Sequence, residues 1–356
     1  PPEAQQYTYQ ALVNSLEGLT DTMMLIRFNP DTQQLVVLSL PRDTRVDIEG
    51  YGIEKLNAAN YYGGPALSAK TVSRLLGGVP IDRYIRINVQ GVEKLINALG
   101  GVTVYVPHDM KYRDDSQHLY INLKAGKQRL NGNQALQLLR FRHDENGDIG
   151  RIQRQQMVIR ALKEQALNPT TIARLPQILK VIQAHIDTNL SVEELMALVG
   201  FSASLSKANT QMLLLPGDFS LPGEYGASYW LPNYAKIGDM TARYFGLGFE
   251  QRSYLQPSQV RISIQDSTGN RQAVNLLVKT LQRAGYTDIS VDKPWTEQLS
   301  VTRVVAQSGN ALIAQAVRDV LNVGDVRVES TGILQSDVTI QLGKDWVVSA
   351  GLPNNY

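Results

Sequence analysis

The sequence predicts an α/β fold in two parts: a central mixed β-sheet flanked by helices over residues 1–255, and a small separate α/β domain over residues 256–356. Three observations carry this. Runs rich in β-branched residues alternate with segments of helical spacing, the Gly77-Gly78 and Gly100-Gly101 pairs stop two of those segments, and the alternation restarts after Gln256-Pro257-Ser258.

The elements follow in order. Asp21 to Phe28 and Leu35 to Leu40 read as two strands of a hairpin around the polar turn Asn29 to Gln34. Pairing Phe28 with Leu35 sets Asp21 opposite Arg42, so that an acid and a base share one sheet edge, whereas a slip of one residue reverses the faces. Ala66 to Leu76 is helical, Tyr84 to Val89 extended, Gly91 to Leu99 helical, and Val102 to Val106 a strand. Leu138 to Arg142 reads as a strand. Arg151 to Leu167 is a helix with Ile152, Ile159, Leu162 and Ala166 on one stripe, ended by Asn168-Pro169, and helices follow over 171–186 and 191–205. The Gly-, Pro- and aromatic-rich tract from Leu215 to Pro232 reads as a long ordered loop. In the second part, strands are predicted at Val260 to Ile264, Ile289 to Val291, Val301 to Ala306, Val326 to Val328 and Val338 to Leu342, with helices at Arg271 to Ala284 and Ala311 to Leu321.

Composition removes several function classes. The 356 residues carry 35 Lys plus Arg against 33 Asp plus Glu, a formal charge of +2, and no long block of one sign, which speaks against nucleic-acid binding by bulk charge. With no cysteine there is no disulfide, thiolate metal site or cysteine nucleophile. The apolar runs Met23 to Ile26 and Leu35 to Leu38 are far shorter than the roughly 18 residues of a membrane span. The chain begins Pro-Pro without Met and shows no signal peptide, so an upstream segment is expected to precede it.

The stretch with most chemistry is Leu139 to Gln156, with four arginines within fifteen positions. On a strand, Arg140 and Arg142 project from one face about 6.6 to 7 Å apart. On the helix after it, Arg151 and Gln155 are four residues apart and share a face, with Asp148 at the helix entry. Guanidinium groups are always charged and donate in planar pairs, which suits a diphosphate, and a helix N-terminus adds to the field. A solvated face with salt bridges to Asp144, Glu145 and Asp148 explains the same spacing, and spacing alone does not choose. His143 is an acid or base candidate or a hydrogen-bonded neighbour; Lys55 and Asn57 are glycan or phosphate contacts or surface-loop residues; Asp43 and Asp47 pair with Arg42 and Arg45, or Arg45 extends the cationic patch. Arg154 points away from Arg151 and Gln155 and is left out.

Four segments together resemble the LytR-CpsA-Psr family, in that family's order: Thr20-Asp21-Thr22-Met23-Met24-Leu25, Ser39-Leu40-Pro41-Arg42-Asp43-Thr44, Lys55-Leu56-Asn57-Ala58-Ala59 with Gly63-Gly64, and Arg140 to Gln156. The segment from Val260 to Asp345 resembles the accessory domain that often ends such chains. The resemblance implies a lipid-diphosphate glycan transferase with an apolar pocket for a polyprenyl chain. Asp21 is then a Mg²⁺ ligand, and Arg42, Arg140, Arg142, Arg151 and Gln155 surround the diphosphate, with Asp148 at the motif's acidic position. A second metal-site aspartate, expected on a strand before Asp21, is not found among residues 1–20.

The implied donor is a polyprenyl-pyrophosphate-linked glycan and the implied acceptor a peptidoglycan hydroxyl. The implied place is the extracytoplasmic or periplasmic face of the plasma membrane, held by an upstream transmembrane helix. Competing readings are a polyprenyl-pyrophosphate hydrolase and a lipid-carrier binding module without chemistry. A DNA-binding regulator is disfavoured by the near-neutral charge and the lack of a basic recognition helix.

Overall fold

The computed structural model describes residues 16–115, 119–141, 147–166, 168–205, 209–247, 256–307 and 309–352. In chain order the elements are β1 (Met23–Asn29), β2 (Gln34–Leu40), β3 (Arg45–Ile48), β4 (Gly52–Lys55), α1 (Ala58–Leu75), β5 (Ile85–Ile87), α2 (Val89–Ala98), β6 (Val102–Val106), β7 (Met110–Asp114), β8 (Leu119–Leu123) and β9 (Gly126–Leu130). Then come α3 (Gly132–Arg140), α4 (Gly147–Ala166), α5 (Pro169–Ile182), β10 (Ile186–Thr188), α6 (Val192–Ser204), β11 (Thr210–Leu214), β12 (Gly217–Phe219), β13 (Trp230–Pro232) and α7 (Tyr234–Phe245). The rest is β14 (Arg261–Asp266), α8 (Arg271–Arg283), β15 (Asp288–Val291), β16 (Arg303–Ala306), α9 (Ala311–Leu321), β17 (Asp325–Val328), β18 (Val338–Leu342) and α10 (Lys344–Ser349).

The chain separates into two compact units. One comprises residues 1–30, 39–205 and 215–248; the other comprises residues 31–38, 206–214 and 249–356. In the first, strands pair as antiparallel ribbons: β3 with β4, β5 with β10, β6 with β9, β7 with β8, and β12 with β13. The second is built on a mixed five-stranded sheet in the order β15-β14-β18-β16-β17, where β16 runs antiparallel to β18 and the other neighbours are parallel. Both the α/β class and the separate C-terminal α/β domain therefore match expectation.

One apolar core of the first unit positions the site. Ile96 of α2, Val102 to Val106 of β6, Met110, Ile121, Leu123, Leu130, Ala135 and Leu138 of α3, and Val158 and Ala161 of α4 pack together, with Phe141 closing the cluster. At about 25 cal/mol per Å² of apolar area, this burial holds α3 and α4 to the ribbons beneath them. The α2–α3 contact is backbone-close: a Cβ on Gly132 would lie 2.2 Å from the Glu93 carbonyl oxygen. Gly132→Ala is expected to destabilise the fold by about 1 to 3 kcal/mol, read as a lower thermal midpoint, because two helix backbones must move apart.

The strand expected over Leu138 to Arg142 is instead the end of α3, so Arg140 lies in a last helical turn and strand alternation does not align it with Arg142. The reason lies upstream. Asn131 caps α3, its side chain accepting from the Gln134 amide at 2.9 Å while Gln134 Oε1 accepts from the Asn131 amide at 3.0 Å, and Gly132, Ala135 and Leu138 recur every third residue on the buried face. A two-residue alternation cannot compete with that.

The buried face of α4 also differs from the expected stripe: Ile152, Val158 and Ala161 are buried together with Arg151, Arg154 and Gln156. Helix α5 ends at Ile182, and residues 186–188 form β10. The tract at 215–232 is not all loop. Its ends pair as β12 and β13, where Phe219 meets Trp230 edge-on with ring centroids 5.0 Å apart.

Candidate diphosphate site

The site is built on the turn Pro41–Thr44, which follows β2 and is held from every side. Thr44 donates to the Pro41 carbonyl through both its amide (3.0 Å) and its hydroxyl (2.5 Å). The Arg42, Asp43 and Thr44 carbonyls accept from the amides of Asn57 (3.0 Å), Trp230 (3.0 Å) and Leu56 (2.8 Å). Two segments, the Leu56-Asn57 step and Trp230, thus fix the backbone from which Arg42 and Asp43 project. Asn57, one of the sequence candidates, is buried and acts here through its backbone.

Arg42 Nη1 donates to Asp21 Oδ1 at 2.5 Å, the acid–base pair that the hairpin pairing predicts. Asp21 is 69% exposed, so this pair alone contributes little to stability. Asp43, by contrast, is 16% exposed and collects three cations: Lys55 Nζ at 2.8 Å, Arg42 Nε at 3.3 Å and Arg151 Nη2 at 3.9 Å. Burial pushes the Asp43 pKa up, but the Lys55 hydrogen bond and the charges of Arg42, Lys55 and Arg151 outweigh it and hold the carboxyl below its ordinary value.

A carboxyl depressed in the folded state contributes stability that is full above its unfolded pKa and is lost as pH falls through the folded pKa. Asp43→Asn is therefore expected to lower the denaturant midpoint at neutral pH, with the gap to the parent chain closing as the pH is taken from about 5 to about 2.

Helix α4 brings the second half of the site. Arg151 is buried and reaches Asp43, and one turn on, Gln155 Nε2 donates to Thr22 Oγ1 at 2.8 Å, beside Asp21. The pair predicted to share a helix face does so, with Gln155 on Thr22 and Arg151 on Asp43. On the neighbouring faces, Gln156 Nε2 donates to Ser39 Oγ at 3.1 Å, and Arg154 Nη2 donates to the Phe141 carbonyl at 2.5 Å with its guanidinium 5.6 Å from the Phe141 ring. Arg154, set aside from the sequence, is the strut that ties the end of α3 to α4, and its burial is what periodicity alone did not reveal.

Among the other candidates, Arg140 is half-buried one residue before Phe141. Arg142, His143, Asp144 and Glu145 lie outside the described residues, as does the side chain of Asp148. Asp47 pairs with Arg74 at 3.3 Å, not with Arg45.

Among the described residues, Arg42, Lys55 and Arg151 thus gather on Asp43, and Arg42 also reaches Asp21. Among the described residues no group of three or more His, Asp or Glu is placed to hold a metal. Magnesium, however, commonly takes one or two protein carboxylates and draws its other ligands from phosphate oxygens and water. The largely exposed Asp21 carboxylate, beside the cations on Asp43, fits such a donor set and is the described residue that could hold the ion.

The chain matches the LytR_cpsA_psr family over residues 10–245, and the family described as LytR cell envelope-related transcriptional attenuator over residues 259–346. It is 37% identical over 176 residues to the regulatory protein MsrR of Staphylococcus aureus (strain COL), covering 49% of this chain and 52% of MsrR. It is 36% identical over 192 residues to the polyisoprenyl-teichoic acid–peptidoglycan teichoic acid transferase TagU of Oceanobacillus iheyensis, covering 51% of this chain and 57% of TagU.

The crystal structure of B. subtilis TagV superposes with a TM-score of 0.57 at 28% identity, over 65% of this chain and 91% of that one. The chain spans about half the length of these two curated relatives. With the match over residues 10–245 running through Asp21, Arg42, Arg151 and Gln155, the chain belongs to the LytR-CpsA-Psr family.

Proposed function

We propose that the protein is a transferase that moves a glycan from a polyprenyl-diphosphate carrier to a peptidoglycan hydroxyl, leaving the glycan joined through a phosphodiester. The observation that carries this is the gathering of Arg42, Lys55 and Arg151 on Asp43 beside Asp21. The TagU name, with its polyisoprenyl carrier and peptidoglycan acceptor, supports the same reading.

In the reaction, the acceptor oxygen attacks the sugar-linked phosphorus, a new P–O bond forms, and the bond to the bridging oxygen breaks. Polyprenyl phosphate leaves with that oxygen, and the acceptor proton passes to a base. Phosphoryl transfer asks mainly for positioning and for neutralisation of charge on the transferring and leaving oxygens. Arg42 and Arg151 supply both, held at a fixed spacing by the Asp43 carboxylate. Asp43 itself is a poor proton acceptor, because three cations hold its carboxyl below its ordinary value.

The family resemblance gives Arg140 and Arg142 a part in binding the diphosphate, Gln155 positions the donor, and Asp148 stands at the motif's acidic position. Asp21 would hold a magnesium ion, which would supply further charge neutralisation. No helix among the described residues is long and apolar enough to cross a membrane. The proposed place of action is the outer face of the plasma membrane, with an upstream helix as anchor and an apolar pocket for the lipid.

Incubating the protein with a labelled polyprenyl-diphosphate glycan, with and without peptidoglycan, tests the reaction. Transfer predicts label on the wall polymer and one polyprenyl phosphate released per glycan. Release of free glycan phosphate at the same rate without acceptor identifies a hydrolase, and no turnover leaves a carrier-binding module.

A further inference from the structure

The register of the β3–β4 ribbon sets Arg45 directly opposite Lys55. Like charges facing each other across an antiparallel pair repel, so the position is destabilising unless something offsets it. For Lys55 the offset is Asp43, at 2.8 Å. For Arg45 it is not a carboxylate: among the described residues no acid pairs with it, and its guanidinium lies 4.9 Å from the centroid of the Tyr225 ring. Lys55 lies likewise 5.6 Å from the Tyr229 ring, and the two tyrosines meet edge to face at 5.5 Å.

The rings are set by the segment between β12 and β13, where Ser220 donates its amide to the Tyr229 carbonyl (2.8 Å) and its hydroxyl accepts from the Tyr229 amide (3.0 Å). A ring face orients a cation without neutralising it. The result is a ledge of two cations and two aromatic rings that joins Asp43 through Lys55 and crosses the ribbon to Arg45.

We propose that this ledge is a second anion subsite, which takes a phosphate- or carboxylate-bearing sugar of the glycan carried on the diphosphate. Arg45 binds the sugar's charge through its unneutralised guanidinium, and Tyr225 and Tyr229 offer apolar ring surface with a polar tip to the pyranose. Lys55 links the two subsites. The inference rests on the transfer reading above and adds to it a preference for anionic glycans.

The test is calorimetric binding of the whole chain to three ligands: farnesyl diphosphate, a farnesyl-diphosphate disaccharide without charged sugars, and the same disaccharide carrying one sugar phosphate. The parent chain is expected to bind the phosphorylated ligand about tenfold tighter than the neutral one. Arg45→Gln is expected to erase that difference, and Tyr225→Ala to shrink it. Both variants are expected to bind farnesyl diphosphate within about twofold of the parent.

Arg45→Gln removes a like-charge pair, so its thermal midpoint is expected not to fall, which separates lost binding from lost fold. Equal binding of the two disaccharides by the parent chain, or equal weakening of all three ligands by Arg45→Gln, overturns the subsite. If only a soluble peptidoglycan fragment responds to Arg45→Gln, the ledge belongs to the acceptor and the proposal is wrong. Failure of the parent chain to bind farnesyl diphosphate at all defeats the transfer reading, and the subsite with it.

Discussion

Arg151→Ala is expected to lower glycan transfer by about 10² to 10³-fold, the scale seen when one donor that holds developing charge is removed. Of the three cations gathered on Asp43, Arg151 is the most buried, with 6% of its side chain exposed, so its charge acts where water screens it least. The fold is expected to survive, because Asp43 keeps Lys55 and Arg42 as partners and α4 stays anchored by Ile152, Val158 and Ala161. Steady-state transfer rates, with circular dichroism as the control for folding, check this. A loss confined to KM with kcat unchanged would mean that Arg151 binds ground state and transition state alike.

Asp21→Asn is expected to be the next most damaging change, at about 10²-fold in transfer, through two losses. The variant gives up the Arg42 partner that holds that guanidinium on its outer side, and it gives up the carboxylate proposed for magnesium. These separate experimentally. If the metal role is real, the magnesium concentration for half-maximal transfer rises several-fold in the variant, whereas a pure positioning role lowers the rate with the magnesium dependence unchanged.

The parts of this protein legible in its sequence are those set by local pattern. Helix α9 falls at the predicted Ala311–Leu321 and strand β18 at Val338–Leu342, since each is a periodic segment bounded by turn residues. The Asp21–Arg42 contact was also readable, because two strands around one turn leave few ways to align an acid with a base. Arg140 was misplaced for the opposite reason: its conformation is decided by a capping box at Asn131, outside the short arginine alternation around it.

The sequence pairs Asp43 with its neighbour Arg42, and that contact exists. Its larger role depends on Lys55 and Arg151, which arrive from a different ribbon and a distant helix. No local rule brings them together. The same holds for Arg45, which no described acid pairs with, since Asp47 lies on Arg74 and Lys55 stands in register opposite.

The central claim is that Arg42 and Arg151, spaced by Asp43, form a diphosphate site. A crystal structure of the protein with farnesyl diphosphate and magnesium tests it most directly. Both phosphates are expected within hydrogen-bond reach of the Arg42 and Arg151 guanidiniums, with Gln155 and Asp21 at the rim. Diphosphate bound elsewhere, with the Asp43 ion pairs left as they are, would contradict it.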